Sequence, residues 1–117
     1  MAALLVVEDD PEVHQLLVEF LGELGHRVLA AVSAAAARVV MASETVELLL
    51  VDCLMNGEQG TSLAAHCRAL GIPAILMTGH PEYADALAEA PFPVLRKPFR
   101  LAELQMLVDT VLGKSAG

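Results

Sequence analysis

Apolar residues along this chain fall into two patterns. The first is the short unbroken run. Leu48-Leu49-Leu50-Val51 is the clearest, and it stops on a single carboxylate, Asp52. Such a run reads as a strand buried on both faces, as in the centre of a parallel sheet. Ala3 to Val7 is a second run and ends in Glu8-Asp9-Asp10. Ile72 to Met77 is a third, with Pro73 near its start, where a missing donor matters least. It ends in Thr78-Gly79-His80-Pro81. Arg27 to Ala31 and Val94-Leu95-Arg96 are shorter strand candidates, and the latter delivers Lys97-Pro98-Phe99.

The second pattern has the helical period. From Pro11 to about Leu24, residues Val13, Leu16, Leu17, Phe20, Leu21 and Leu24 form one stripe. Asp10 is placed to cap that helix, Pro11 suits its first turn, and Gly25 marks its end. Ser33 opens an Ala-rich helix to about Ala42, with Ala36, Val39 and Val40 expected inward. Cys53 to Gly60 contains Asn56, Gly57 and Gly60 and reads as a loop. A helix starting at Gly60 or Thr61 puts Leu63, Ala64, Cys67 and Leu70 inside and stops at Gly71. A short helix is expected from Glu82 to Ala88, before Pro91 and Pro93 bracket Phe92. The last helix, Leu101 to Leu112, turns Leu101, Leu104, Leu107, Val108, Val111 and Leu112 inward. Residues 113–117 read as a tail or linker stub.

Strands and helices alternate five times, which predicts an α/β fold with a parallel sheet and helices on both faces. Right-handed crossovers leave few topologies, and five strands suit the flavodoxin-like three-layer sandwich with order 2-1-3-4-5. The expectation is one domain over residues 1–117, with its core at about 3–112.

Composition narrows the function classes. The chain has 117 residues, 56% of them hydrophobic and only 3% aromatic, so the core is mostly Ala, Val and Leu. No apolar run approaches the ~20 residues that span a bilayer, and Met1-Ala2-Ala3-Leu4 lacks the basic start of a signal peptide. A net charge of −8 argues against direct nucleic-acid binding, which needs a basic face. Cys53 and Cys67 read as reduced, packed thiols rather than a disulfide framework. His14, His26, His66 and His80 show no zinc-ligand spacing. His14 and His66 read as solvated helix positions. A cytoplasmic protein is expected.

Four strands end in polar groups: Glu8 and Asp9, Asp52, Thr78, and Lys97. Parallel adjacent strands would gather these groups at one sheet edge, where such folds bind ligands. Three carboxylates brought together repel and call for a cation. All-oxygen ligands suit Mg²⁺ better than zinc or copper. A carboxylate beside Mg²⁺, with a hydroxyl and an ammonium near, is fitted to accept a phosphoryl group as an acyl phosphate.

Val7-Glu8-Asp9-Asp10, Leu50-Val51-Asp52, Met77-Thr78-Gly79 and Lys97-Pro98-Phe99, in that order, resemble the response-regulator receiver domain of two-component signalling, the CheY-like superfamily. The resemblance runs from about Ala3 to Leu112. It implies that Asp52 accepts a phosphoryl group from a sensor histidine kinase or histidine phosphotransfer domain. It implies Mg²⁺ held by Asp9, Asp52 and the backbone carbonyl of Leu54, with Glu8 acting through a bound water. Lys97 would pair with the phosphoryl group, Thr78 would swing toward it, and the Lys97-Pro98 bond would be cis. Leu54 and His80 occupy positions that tune hydrolysis of the phosphoaspartate, and apolar Leu54 is expected to slow it.

Two departures from the family pattern stand out. Asn56 replaces a common proline, and Val94 stands where the switch aromatic is usual, with Phe92 out of register to substitute. The leading expectation is a signalling switch, not a turnover enzyme, that is either a stand-alone receiver or part of a longer protein with an attached kinase or output domain outside this chain. One alternative is an interaction module that works without phosphorylation. The other is a Mg²⁺-dependent phosphatase with an aspartyl nucleophile; such enzymes need a second acid two residues on, where this chain has Leu54.

Overall fold

The structure, a computed structural model, describes residues 3–55, 59–80 and 92–113. Five strands are present: β1 (Ala3–Val7), β2 (Arg27–Ala31), β3 (Leu48–Asp52), β4 (Ala74–Thr78) and β5 (Val94–Arg96). Four helices are described: α1 (Pro11–Glu23), α2 (Ala34–Ser43), α3 (Gly60–Ala69) and α4 (Leu101–Val111). All neighbouring strands pair in parallel, in the order β2-β1-β3-β4-β5. The helix expected at Glu82–Ala88 lies outside the described residues.

The strand runs split by parity into two cores. Leu4, Val6, Leu48, Leu50, Ile75 and Met77 pack against Leu17 and Leu21 of α1 and Leu104 and Val108 of α4. Leu5, Val7, Leu49, Val51 and Leu76 pack on the other face against Ala34 and Ala37 of α2 and Leu63, Ala64 and Cys67 of α3. Burial on both sides is why β1, β3 and β4 are apolar at every position.

Local signals set the helix ends. Oδ1 of Asp10 accepts from the amides of Glu12 and Val13 at 3.0 and 3.4 Å, and Pro11 follows it. Ser33 Oγ accepts from Ala36 N at 3.1 Å. Gly25 and Gly71 take φ of +92° and +80° just past the ends of α1 and α3, a conformation that favours glycine.

Three inward positions and one strand start differ from expectation. Val39 is 71% exposed and Leu70 59% exposed, and α2 instead buries Ala34 and Ala37. Leu16 is also exposed, beside a groove on α1. On α4 the expected face holds: Leu104 and Val108 are buried, half-buried Leu107, Val111 and Leu112 pack against the same core, and Leu101 is half-buried. β4 starts at Ala74, because Pro73 serves the sheet only through its carbonyl, which accepts from Leu49 N at 2.9 Å. Among the described residues no helix is long and apolar enough to cross a membrane.

Candidate functional site

The site follows from strand parity. Leu4 pairs with Leu48 and Val7 with Val51, so Glu8 and Asp52 form the next row along the sheet. Both continue the face of Leu4, Val6, Leu48 and Leu50. Two buried acids therefore stand side by side at the carboxyl end, with Glu8 0% and Asp52 8% exposed. Two ionised carboxylates at this spacing repel by roughly 3–4 kcal/mol at an effective dielectric of 20.

Lys97 answers that repulsion. It leaves the end of β5, and its amide donates to the carbonyl of Thr78 at 2.8 Å, which fixes the loop beside β4. Its Nζ lies 2.8 Å from Oε2 of Glu8 and 2.8 Å from Oδ2 of Asp52. Burial alone pulls an ammonium down; the hydrogen bonds to Asp52 and Glu8 outweigh it and hold Lys97 above its usual range. Burial pushes the Glu8 carboxyl up, partly offset by its bonds to Lys97 and to the Asp10 amide. The Lys97-Pro98 peptide is cis.

Asp9 completes the cluster. Ligand oxygens of Glu8, Asp9 and Asp52 all lie within 4.8 Å of one another. The remaining oxygens are held by backbone: Asp10 N donates to Glu8 Oε1 at 3.1 Å, and Leu54 N donates to Asp52 Oδ1 at 3.1 Å. Thr78 is buried at the end of β4, one row past the Asp52–Met77 pair, and its hydroxyl accepts from His80 N at 3.2 Å. Beside Lys97 opens a groove of about 460 Å³ lined by Val13, Leu16, Gly79, Pro98 and Phe99.

The profile of the response regulator receiver domain matches residues 4–109. The chain belongs to that family. It is 34% identical over 120 residues to the transcriptional regulatory protein GlrR of Escherichia coli K12, covering 98% of this chain and 27% of that protein. The chain thus spans about a quarter of the length of that curated relative. Among solved structures, the response regulator TrrA of Thermotoga maritima in complex with Mg²⁺-BeF is 28% identical, with a TM-score of 0.85 over 95% of this chain and 99% of that one. The receiver domain of a Pseudomonas aeruginosa sensor histidine kinase, with magnesium in its active-site cleft, is 27% identical, with a TM-score of 0.84 over 97% of this chain and 98% of that one.

As a receiver domain, the chain is a module of two-component phosphorelay signalling, with the acidic pocket typical of such domains. Its departures have structural settings. Val94 is half-buried and packs, as Phe92 does, against the core on the α2–α3 face. Asn56 lies outside the described residues. Leu54 is 38% exposed beside Asp52. Cys53 is fully buried, and burial, with the Asp52 charge adding to it, pushes its thiol up to about 11, which keeps it protonated at neutral pH.

Two residues of the receiver site were not visible in the sequence. His14, expected to be solvated, is half-buried, and its Nδ1 lies 3.0 Å from the carbonyl oxygen of Glu8. Its place one turn into α1 was the only signal. Gly60, expected merely to begin a helix, is buried with its amide donating to the carbonyl of Cys53 at 3.2 Å. No sequence signal marks that contact.

Proposed function

We propose that Asp52 is the phosphoacceptor of this receiver domain, with a histidine kinase or histidine phosphotransfer domain as donor. One observation carries the reading: the carboxylate ending the central strand has one oxygen against the Lys97 ammonium at 2.8 Å and the other against a backbone amide at 3.1 Å. Two more acids lie beside it.

Mg²⁺ fits the donor set. The cluster offers three carboxylates and neither nitrogen nor sulfur, and Lys97 alone leaves it net negative. Hard oxygen donors in excess of local positive charge favour a hard divalent cation. Asp9, Asp52 and the Leu54 carbonyl would hold it directly, and Glu8 through water. When bound, it neutralises charge on the phosphoryl oxygens. TrrA and the kinase receiver domain support this reading, since both were solved with magnesium.

The chain's own residues do the rest. An Asp52 oxygen attacks phosphorus; the P–N bond to the donor histidine breaks, a P–O bond forms, and the leaving imidazole takes up a proton. Lys97 shifts its hydrogen bond from Asp52 to a phosphoryl oxygen. Thr78 accepts from His80 N at rest, so its own O–H proton can be donated to the phosphoryl group. The domain would catalyse only this self-transfer and a slow self-dephosphorylation. It would act in the cytoplasm as one domain over residues 1–117 with its core at about 3–112, either alone or joined to a kinase or output domain outside this chain.

Incubation with Mg²⁺ and acetyl phosphate is expected to add one phosphoryl group, read by intact mass. The Asp52→Ala variant is expected to take none; uptake by that variant overturns the assignment. Leu54 offers an attacking water no hydrogen-bond partner. Leu54→Asn is expected to shorten the phosphoaspartate lifetime about fivefold, the worth of one hydrogen bond near 1 kcal/mol. Slower loss in the variant contradicts this role.

Val94 at the switch position supports a second reading, an interaction module indifferent to phosphate. Partner binding unchanged by beryllofluoride would select it.

A further inference from the structure

The β1–α1 turn carries two of the three acids, and its peptide groups are held one after another. Glu8 N still bonds to Ala31 O at 3.2 Å, as the last contact to β2. The β1–β3 ladder, however, ends at the Val7–Val51 pair. The Glu8 carbonyl therefore lies one step beyond the sheet, and its donor comes from outside the ladder. That donor is His14 Nδ1, at 3.0 Å. The next peptide is held by Asp10 N donating to Glu8 Oε1 at 3.1 Å. The third is held by His14 again, through its backbone amide, which donates to Asp10 O at 2.9 Å. Both carbonyls that bracket Asp9 thus accept from one residue.

The backbone bond is the ordinary first turn of α1, which any residue at position 14 would make. The ring bond is not. A carbonyl only accepts, so Nδ1 carries the hydrogen. A neutral ring with that tautomer and a protonated ring both donate there, so the contact holds in either charge state.

We propose that His14 is a positioning residue for the metal-binding turn: its Nδ1–H anchors the Glu8 carbonyl and so sets where the Asp9 carboxylate stands. The inference rests on the Mg²⁺ reading above. Mg²⁺ tolerates little error in ligand position, and outer contacts that orient its ligands commonly matter tenfold or more.

Two substitutions separate this role from a general effect on the helix. Asn places an amide nitrogen where Nδ1 stands, whereas Leu places a methyl group there. Helix propensity ranks Leu above His and Asn, so a purely structural role favours the Leu variant. Mg²⁺ titration by calorimetry is expected to show His14→Leu binding roughly tenfold more weakly than wild type, and His14→Asn within about twofold of it. Melting curves in EDTA establish that both variants are folded. Equal Mg²⁺ affinity in all three proteins, or equal weakening in both variants, overturns the anchor and leaves the Mg²⁺ reading standing. Failure of the wild type to bind Mg²⁺ removes both.

Discussion

Replacing Lys97 by Met is expected to destabilise the metal-free chain by about 3 kcal/mol at neutral pH, because breaking a buried pair leaves an uncompensated charge. Methionine keeps most of the stem and removes both 2.8 Å contacts, to Glu8 and to Asp52. Glu8, with none of its surface exposed, then faces Asp52 without a counter-ion. Burial raises Glu8 above 4.5 in the folded state, so its favourable contribution is complete below 4.5 and is lost as pH rises through the raised value. Without the ammonium that folded value climbs further, so the loss deepens. The deficit of Lys97→Met is therefore expected to shrink as pH falls toward 4.5. Lys97 itself is raised above 10.5, so its contribution is complete below 10.5 and disappears in stronger alkali. Urea unfolding in EDTA at acid, neutral and alkaline pH checks the curve. A variant as stable as wild type at neutral pH, or a deficit flat across pH, contradicts it. The same variant is expected to lose on the order of a hundredfold in phosphoryl uptake from acetyl phosphate, the scale for one transition-state donor.

The strand tips were legible because a doubly buried strand leaves little choice of residue. Leu48 to Val51 had to be apolar on both faces, so the acid that ended the run stood out. Parity then put Glu8 and Asp52 on one face. Helix ends were equally readable, since Asp10, Pro11 and Gly25 act through local backbone geometry. The face of α2 was not. Ala34 to Met41 is apolar at every position except Arg38, so periodicity offered no contrast, and the sheet selected Ala34 and Ala37 for close approach while Val39 turned out. Leu70 failed for another reason: it caps α3, where the chain is already turning toward Gly71. The ring contact of His14 and the tight seat of Gly60 join residues whose partners only the tertiary structure supplies.

Gly60 gives the second large effect, and its sign is the informative part. It is the first residue of α3, with no positive φ to demand glycine. In an exposed helix, Gly→Ala stabilises by about 1 kcal/mol. Here a Cβ would collide with the carbonyl oxygen of Asp52, and would lie 2.8 Å from its carbonyl carbon and 3.1 Å from Cys53 Cα. These are backbone atoms at the end of a central strand, and they cannot rotate away as a side chain would. Gly60→Ala is therefore expected to destabilise the chain by about 3 kcal/mol, the upper end for overpacking. Gly22 is the internal control: it lies in α1, with no atom within 4 Å of the place a methyl group would take, so Gly22→Ala is expected to stabilise. The atoms that Gly60→Ala would displace belong to the peptide joining Asp52 to Cys53, and Leu54 follows directly. Any relief of the collision moves the Asp52 turn, so Mg²⁺ affinity should fall along with stability. Urea unfolding and Mg²⁺ titration on the two variants read both effects. If Gly60→Ala proves as stable as Gly22→Ala, helix α3 does not rest against the carbonyl of Asp52.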